Sequence, residues 1–249
     1  MTIDETVDCP LCGSPVAKTV SAAVPADCRL SAFGRHYWLC TVCDLLFMDT
    51  ACRLDREAEL RRYALHQNRP DDAGYLRFLD RLRRPVLAEL QRRGFAPAGT
   101  RTLADGSTRA LRGLDYGSGP QPVLSALFRM EAWQLDCWDP NFAPDPPPGR
   151  LDGGGYDFIL CCEVAEHFRQ PLQDFRRMLD LLAPGGFLAL MTGLRPAASC
   201  SGLEGWSYLS DATHVSMYSR KTVEWLARHL ELIARFPAEN VLFLEKRLA

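Results

Sequence analysis

Gly113-Leu114-Asp115-Tyr116-Gly117-Ser118-Gly119-Pro120 is the stretch that decides the fold. An apolar lead-in, an acid and two glycines one residue apart predict a strand that turns sharply into a helix. Glycine lets the backbone turn tightly and lets a ligand lie close, with no Cβ in the way. The third glycine of the dinucleotide fingerprint is missing, and Gln121-Pro122 stands near its place. A seated pyrophosphate is therefore not the expectation.

Three features downstream extend the pattern. Asp139, in Cys137-Trp138-Asp139-Pro140, follows a helix-like stretch from Val123 to Trp133 and a short apolar run. An acid at the end of a second strand can accept both hydroxyls of a ribose. Tyr156-Asp157-Phe158-Ile159-Leu160-Cys161-Cys162-Glu163 reads as a buried strand with polar residues at its C-terminal end, where open parallel sheets bind ligands. Leu182-Ala183-Pro184-Gly185-Gly186 ends a helix and turns into the apolar strand Phe187–Met191.

Four of the ten cysteines have metal spacing. Cys9-Pro10-Leu11-Cys12 and Cys40-Thr41-Val42-Cys43 are two Cys-x-x-Cys knuckles, and two knuckles complete a tetrahedral site of four thiolates. Tyr37-Trp38-Leu39 and Leu45-Leu46-Phe47 flank the second knuckle as ribbon strands. Asp44 stands where a second glycine is usual, and Cys28 is an outside candidate as ligand. Cys28, Cys52, Cys137, Cys161, Cys162 and Cys200 read as small buried hydrophobes.

Residues 111–249 resemble a class I S-adenosylmethionine-dependent methyltransferase domain, through LDYGSGP, WDP, YDFILCCEVAEHF, LLAPGGFLALMT and DATHVSMYS. The likeness extends upstream to YALHQNRPDDAGYLRFL, as in a bacterial subgroup whose methyltransferase domain follows an N-terminal four-cysteine zinc ribbon. It implies an α/β fold: a Rossmann-like seven-stranded sheet with helices on both faces. The implied division is a zinc ribbon over 1–52, a helical lid and linker over 53–110, and the methyltransferase domain over 111–249. The cofactor would be held by Asp115, Tyr116, Gly117, Ser118, Gly119, Asp139, Pro140, Cys162 and Glu163, with His66 from the lid. Zinc would sit on Cys9, Cys12, Cys40 and Cys43 as a structural ion.

Methyl transfer from a sulfonium is an in-line displacement, so the protein mainly aligns donor and acceptor. A base is needed only when the acceptor must lose a proton. Glu163 and His167 lie just past the fourth strand, His214 follows the fifth, and Tyr63, with His66 and Asn68, belongs to the lid. These make Glu163, His167, His214 and Tyr63 the catalytic candidates. Glu166 reads as a solvated or supporting residue, and Trp206 and Tyr208 as an apolar wall. The subgroup usually carries proline where Ala212 stands.

The rest of the chain is read from pattern. Helices are expected over Glu57–Gln67, from Asp71-Asp72 to Gly94 with a kink or split after Arg84 at Pro85, over Leu172–Leu182 and over Lys221–Leu230. Residues 96–112 and 142–155 read as loops. Glu231–Phe236 and Val241–Lys246 read as an antiparallel hairpin closing the sheet.

A length of 249 residues suits one α/β domain with a small appendage. No apolar stretch approaches a membrane span, and Met1–Thr6 lacks the apolar core of a signal peptide, so a cytoplasmic protein is expected. Net charge of −2 argues against a general polyanion binder, yet residues 53–101 hold twelve arginines against seven acids. A solvated helical face explains that surplus, and a docking surface for RNA is the sharper reading. The function expected is methyl transfer to a small metabolite, first of all a nucleotide-linked sugar. RNA methylation guided by the ribbon and a non-catalytic ribbon scaffold are the alternatives.

Overall fold

The computed structural model describes residues 6–17, 29–65, 68–102, 106–144, 155–195 and 203–246. Along the chain run β1 (Thr6–Asp8), β2 (Pro15–Ala17), β3 (Arg29–Ala32), β4 (Arg35–Leu39), β5 (Leu46–Met48), α1 (Arg56–Ala64) and α2 (Ala73–Arg92). Then come β6 (Thr100–Thr102), β7 (Thr108–Ala110), β8 (Arg112–Tyr116), α3 (Val123–Met130), β9 (Gln134–Trp138) and β10 (Tyr156–Cys162). The last elements are α4 (Pro171–Leu181), β11 (Leu182–Met191), β12 (Ser216–Met217), α5 (Arg220–His229), β13 (Leu232–Ala238) and β14 (Val241–Lys246). They form two compact units: Met1–Leu65 with Ala165–Phe175 and Thr192–Leu230, and His66–Val164 with Arg176–Met191 and Glu231–Ala249.

The second of these, the sheet unit, is α/β with a mixed sheet of order β13-β14-β11-β10-β8-β9. The four strands β9, β8, β10 and β11 run parallel, and β14 and β13 close the edge antiparallel. Parallel strands need cover on both faces, so they read as continuous apolar runs; Phe158, Ile159, Leu160 and Cys161 are all fully buried. Seven strands were expected. Six are found among the described residues, and 145–154, between β9 and β10, lie outside them. The Pro-Gly-Gly turn before the last parallel strand is absorbed into β11, where the register with β10 shifts.

α2 corrects another expectation. It runs unbroken for 20 residues through Pro85, from the cap at Asp72, whose carboxylate accepts the Gly74 and Tyr75 N–H groups. Proline costs one helical hydrogen bond. Leu82 and Val86 on either side of it are fully buried with Leu79 and Leu90 against Phe128, Phe158 and Phe187, so packing holds both halves in one line. Gly94, with φ of +72°, ends the helix. The linker expected to be all loop contains the β6–β7 hairpin.

The other unit carries the cysteine knuckles. Its sheet has the order β12-β5-β4-β3, so the strands around the second knuckle receive a fourth from Ser216 and Met217. Tyr37, Leu46 and Met48 are buried with Leu209, Val215 and Met217 in one apolar core. Asp44 explains why glycine is dispensable after the second knuckle. It takes φ of +62°, and its carboxylate accepts from the buried Arg195 and from Ser219 Oγ, each at 2.5 Å. Ser219 is in turn the N-cap of α5, in a capping box with Thr222.

Candidate functional site

The glycine turn lies between β8 and α3, at the C-terminal ends of the parallel strands. Gly117 has φ of +78°, and a Cβ there would meet Val164 at 2.5 Å. Gly119 has φ of +64° and nothing within 4 Å of where a Cβ would stand. The first glycine is required by the protein's own packing; the second leaves open space beside the backbone, the cradle a close-lying ligand needs. Asp115 is buried at the end of β8 and accepts from Ser125 Oγ at 2.8 Å. Burial pushes its carboxyl up to about 6.

Asp139 shapes the same turn. Its carboxylate accepts the N–H groups of Gly119 at 3.0 Å, Asn141 at 2.8 Å and Phe142 at 3.2 Å. Tyr116 packs on Trp138 with ring centroids 4.6 Å apart. Ser118 donates its N–H to the Trp138 carbonyl, and Pro140 follows Asp139 as an exposed residue. These contacts bind the first two strand ends together around the Gly119 space. At the end of β10, Glu163 takes φ of +52° and donates its N–H to the Met191 carbonyl at 2.8 Å. A non-glycine residue in that region is strained, and such strain gathers at functional sites. Cys162, just before it, is half-buried beside the β8 strand end, with Tyr75 of α2 in its surroundings. His66 lies outside the described residues, as do Cys28 and Cys200.

In the ribbon unit, Cys9, Cys12, Cys40 and Cys43 come together with all four sulfurs within 4.8 Å of one another. The Cys9–Cys43 and Cys12–Cys40 pairs are both 3.5 Å apart, too far for a disulfide. Gly13 and Asp44 donate backbone N–H groups to the Cys9 and Cys40 carbonyls, which closes each knuckle. Hydrogen bonding to Cys40 and burial push the Cys9 thiol up to about 12. Four thiolates around a metal at about 2.3 Å would be separated by about 3.8 Å, so the arrangement fits a tetrahedral ion.

The same unit brings together Glu166, His167 and His214, with one ligating atom from each within 4.8 Å of the others. Glu166 was expected to be solvated or supporting; it is fully buried. Its Oε2 accepts from Thr192 Oγ1 at 3.0 Å, and Thr192 Oγ1 lies 3.0 Å from the Tyr208 hydroxyl. His214 Nδ1 donates to the Tyr208 carbonyl at 2.7 Å, and His167 Nδ1 to the Thr213 carbonyl at 3.0 Å, since a carbonyl can only accept. Burial holds the His214 imidazole below its ordinary range. The Asp211–His214 turn stands without proline at Ala212, because Asp211 Oδ1 accepts both the N–H and the hydroxyl of Thr213. Tyr63 packs edge-on against His167 at 5.4 Å, and its hydroxyl donates to Glu59 Oε1 at 3.2 Å. Burial pushes that hydroxyl's pKa up.

Thr192 ends the LLAPGGFLALMT stretch but carries no site signal of its own, because nothing in Met191-Thr192-Gly193 distinguishes it from a strand end. Tyr208 was read only as a wall. Of the twelve arginines between 53 and 101, Arg61, Arg62, Arg69, Arg83, Arg84, Arg92, Arg93 and Arg101 are ion-paired inside their own unit. No helix among the described residues is long and apolar enough to cross a membrane.

Residues 57–232 match the model of a family described as a methyltransferase domain. No curated protein matches the chain. Among solved structures, it is similar to an O-methyltransferase family protein from Burkholderia thailandensis, at 15% identity over 77% of this chain and 63% of that one, with a TM-score of 0.43. It is also similar to a SAM-dependent methyltransferase from Archaeoglobus fulgidus, at 14% identity over 70% of this chain and 100% of that one, with a TM-score of 0.38. The chain thus spans less than two thirds of the Burkholderia protein's length. The family match covers well over half of the residues, and on that match the chain belongs to the methyltransferase-domain family.

Proposed function

We propose that the chain transfers the methyl group of S-adenosylmethionine to a small metabolite, with a nucleotide-linked sugar as the first candidate. The open space beside Gly119 carries the donor half of this reading. Asp115, Tyr116, Gly117, Ser118 and Gly119 would line the donor, Asp139 and Pro140 its ribose, and Cys162 and Glu163 its methionine end. Asp139 Oδ1 accepts two backbone bonds and Oδ2 only one, so a ribose hydroxyl can add to the lone pair left on Oδ2. When bound, the cofactor supplies an activated methyl group and needs no activation by the protein. Glu163 is the first choice as base; Tyr63, His167 and His214 are assigned to the acceptor.

A structural zinc on Cys9, Cys12, Cys40 and Cys43 belongs to the same proposal, and the sulfur geometry supports it. The acceptor class rests on the resemblance to zinc-ribbon methyltransferases that act on such sugars. Gly119→Val is the decisive donor test. It fills the cradle, so calorimetry should show S-adenosylmethionine binding at least about tenfold weaker in a protein that still folds. The stability cost should exceed the roughly 1 kcal/mol of alanine, because valine at positive φ is strained. Undiminished affinity would overturn the donor site. A methyl-transfer screen on sugar nucleotides and cellular RNA then identifies the acceptor.

A further inference from the structure

We propose that Glu166, His167 and His214 form a second metal site, sharing no residue with the four cysteines, that takes a divalent first-row transition cation. Glu166 Oε1 is fully buried and has no hydrogen-bond partner. A buried carboxylate oxygen left so costs free energy that some cation or donor must offset. His214 Nε2 lies 3.9 Å from it, beyond hydrogen-bond reach. With Nδ1 donating to the Tyr208 carbonyl, the neutral ring presents a lone pair at Nε2. With the ring neutral, two electron-rich atoms face one another, an arrangement that suits a cation.

The surroundings hold these groups as ligands are held. Both imidazoles spend Nδ1 on backbone carbonyls, the bond that fixes ring orientation in metal-binding histidines. The other carboxylate oxygen is oriented by Thr192, itself bonded to Tyr208. The backbone sets the spacing independently of the side chains. Glu166 and His167 are adjacent in a single helical turn, Ala165–His167, and Val215 donates its N–H to the Glu166 carbonyl at 2.8 Å, which fixes His214 beside them. An ion at about 2.0–2.2 Å from each donor would draw the three ligating atoms to roughly 3–3.5 Å apart. That is a closure of at most about 1.3–1.8 Å from their present span of up to 4.8 Å, within reach of rotations about the side-chain bonds.

Two imidazoles and one carboxylate select zinc, iron, cobalt or manganese over the harder magnesium and calcium. Three protein donors leave coordination positions open for oxygen ligands. That those positions would hold the acceptor's oxygens rests on the methyltransferase reading; the metal site itself does not. A histidine committed to an ion is no general base, so the proposal leaves Glu163 as the base candidate.

The test uses the full chain brought to one bound zinc per chain by a mild chelator, which leaves the four-thiolate site filled and the second site empty, and titrated with Mn²⁺ alone and, separately, Co²⁺ alone. One equivalent of Mn²⁺ should bind, with nitrogen couplings from imidazole in its electron spin-echo spectrum. Co²⁺ should bind with the weak visible absorption of nitrogen and oxygen ligands and raise the unfolding midpoint. Glu166→Gln, which keeps the Thr192 hydrogen bond, and His214→Gln should each weaken Mn²⁺ binding by about 100-fold or more. Wild-type protein that neither binds Mn²⁺ or Co²⁺ nor gains stability from them overturns the site, as does binding that survives both substitutions. The wild-type nitrogen couplings decide the matter should a variant fail to fold. Metal binding without any binding of S-adenosylmethionine would leave this site standing and sink the donor assignment instead.

Discussion

In the sheet unit, residues 112–116 pair with 134–138 on one side and 158–160 pair with 113–115 on the other, each from a run of five to seven residues. In the ribbon unit, a two-residue strand, Ser216-Met217, pairs with Leu46 and Phe47 from a segment about 170 residues earlier. The first pairing follows from patterns that any window of sequence displays. The second follows from a buried core shared by residues 30–48 and 203–217, which no window contains. The contrast separates a ligand turn carried by consecutive residues from a side-chain cluster assembled from distant ones.

The hardest test of that contrast is to remove one thiolate. If the four cysteines hold zinc as proposed, Cys40→Ser should abolish its binding and strip protection from β4, β5 and also β12, since β12 is paired to the same sheet. Structural zinc sites can contribute about 10 kcal/mol or more of folding free energy, so amide exchange there should accelerate by several orders of magnitude. Exchange in β8, β10 and β11 serves as the internal reference. Protection of Met217 equal to that in the parent would show that residues 203–217 hold their place without the ribbon.

Next come the two glycines of the turn. Gly117→Ala puts a Cβ 2.5 Å from Val164 at positive φ and should cost roughly 2–4 kcal/mol, overpacking and backbone strain together. Gly119→Ala meets nothing within 4 Å and should cost about 1 kcal/mol, from the left-handed conformation alone. Urea unfolding of both variants measures the difference. Equal costs would mean that the turn relaxes and that the open space at Gly119 is not a fixed feature.

Sequence displayed the glycine turn, Asp115, Asp139, the two knuckles and the closing hairpin because each is local chemistry: a φ requirement, a strand end, a ligand spacing, an alternation. It displayed His167 and His214 as candidates but not Glu166 as their buried partner, because an acid before a histidine on a short turn looks solvated until tertiary packing covers it. Pro85 misled for the same reason in reverse. Its local cost is real, and the burial of Leu82 and Val86 outweighs it. Asp44 shows the third case: a residue that breaks the usual glycine pattern and recovers the cost through Arg195 and Ser219, far along the chain.

Asp115 offers the smallest effect and the closest look at what the buried acid of the glycine turn costs the fold. Its carboxyl titrates at about 6 in the folded protein against an ordinary 3.8, mainly because it is buried. A pKa raised by folding means that the folded state prefers the proton. The stabilising contribution is complete below pH 3.8 and is lost as pH rises through 6. At pH 8 the ionised, buried carboxylate costs up to about 3 kcal/mol, and about half of that at pH 5. Asp115→Asn keeps the shape and removes the charge. Its stability should therefore exceed the parent's by a margin that grows about 1–1.5 kcal/mol between pH 5 and pH 8, read from urea unfolding at the two values. A margin that is flat with pH would show that Ser125 and the turn already compensate the charge. If Asp115 serves the donor, the same substitution should weaken S-adenosylmethionine binding while it stabilises the fold, the opposition expected of a buried charge kept for function. Stability and affinity rising together would make Asp115 a liability of the strand end and shift the donor assignment onto Asp139 and the glycine backbone.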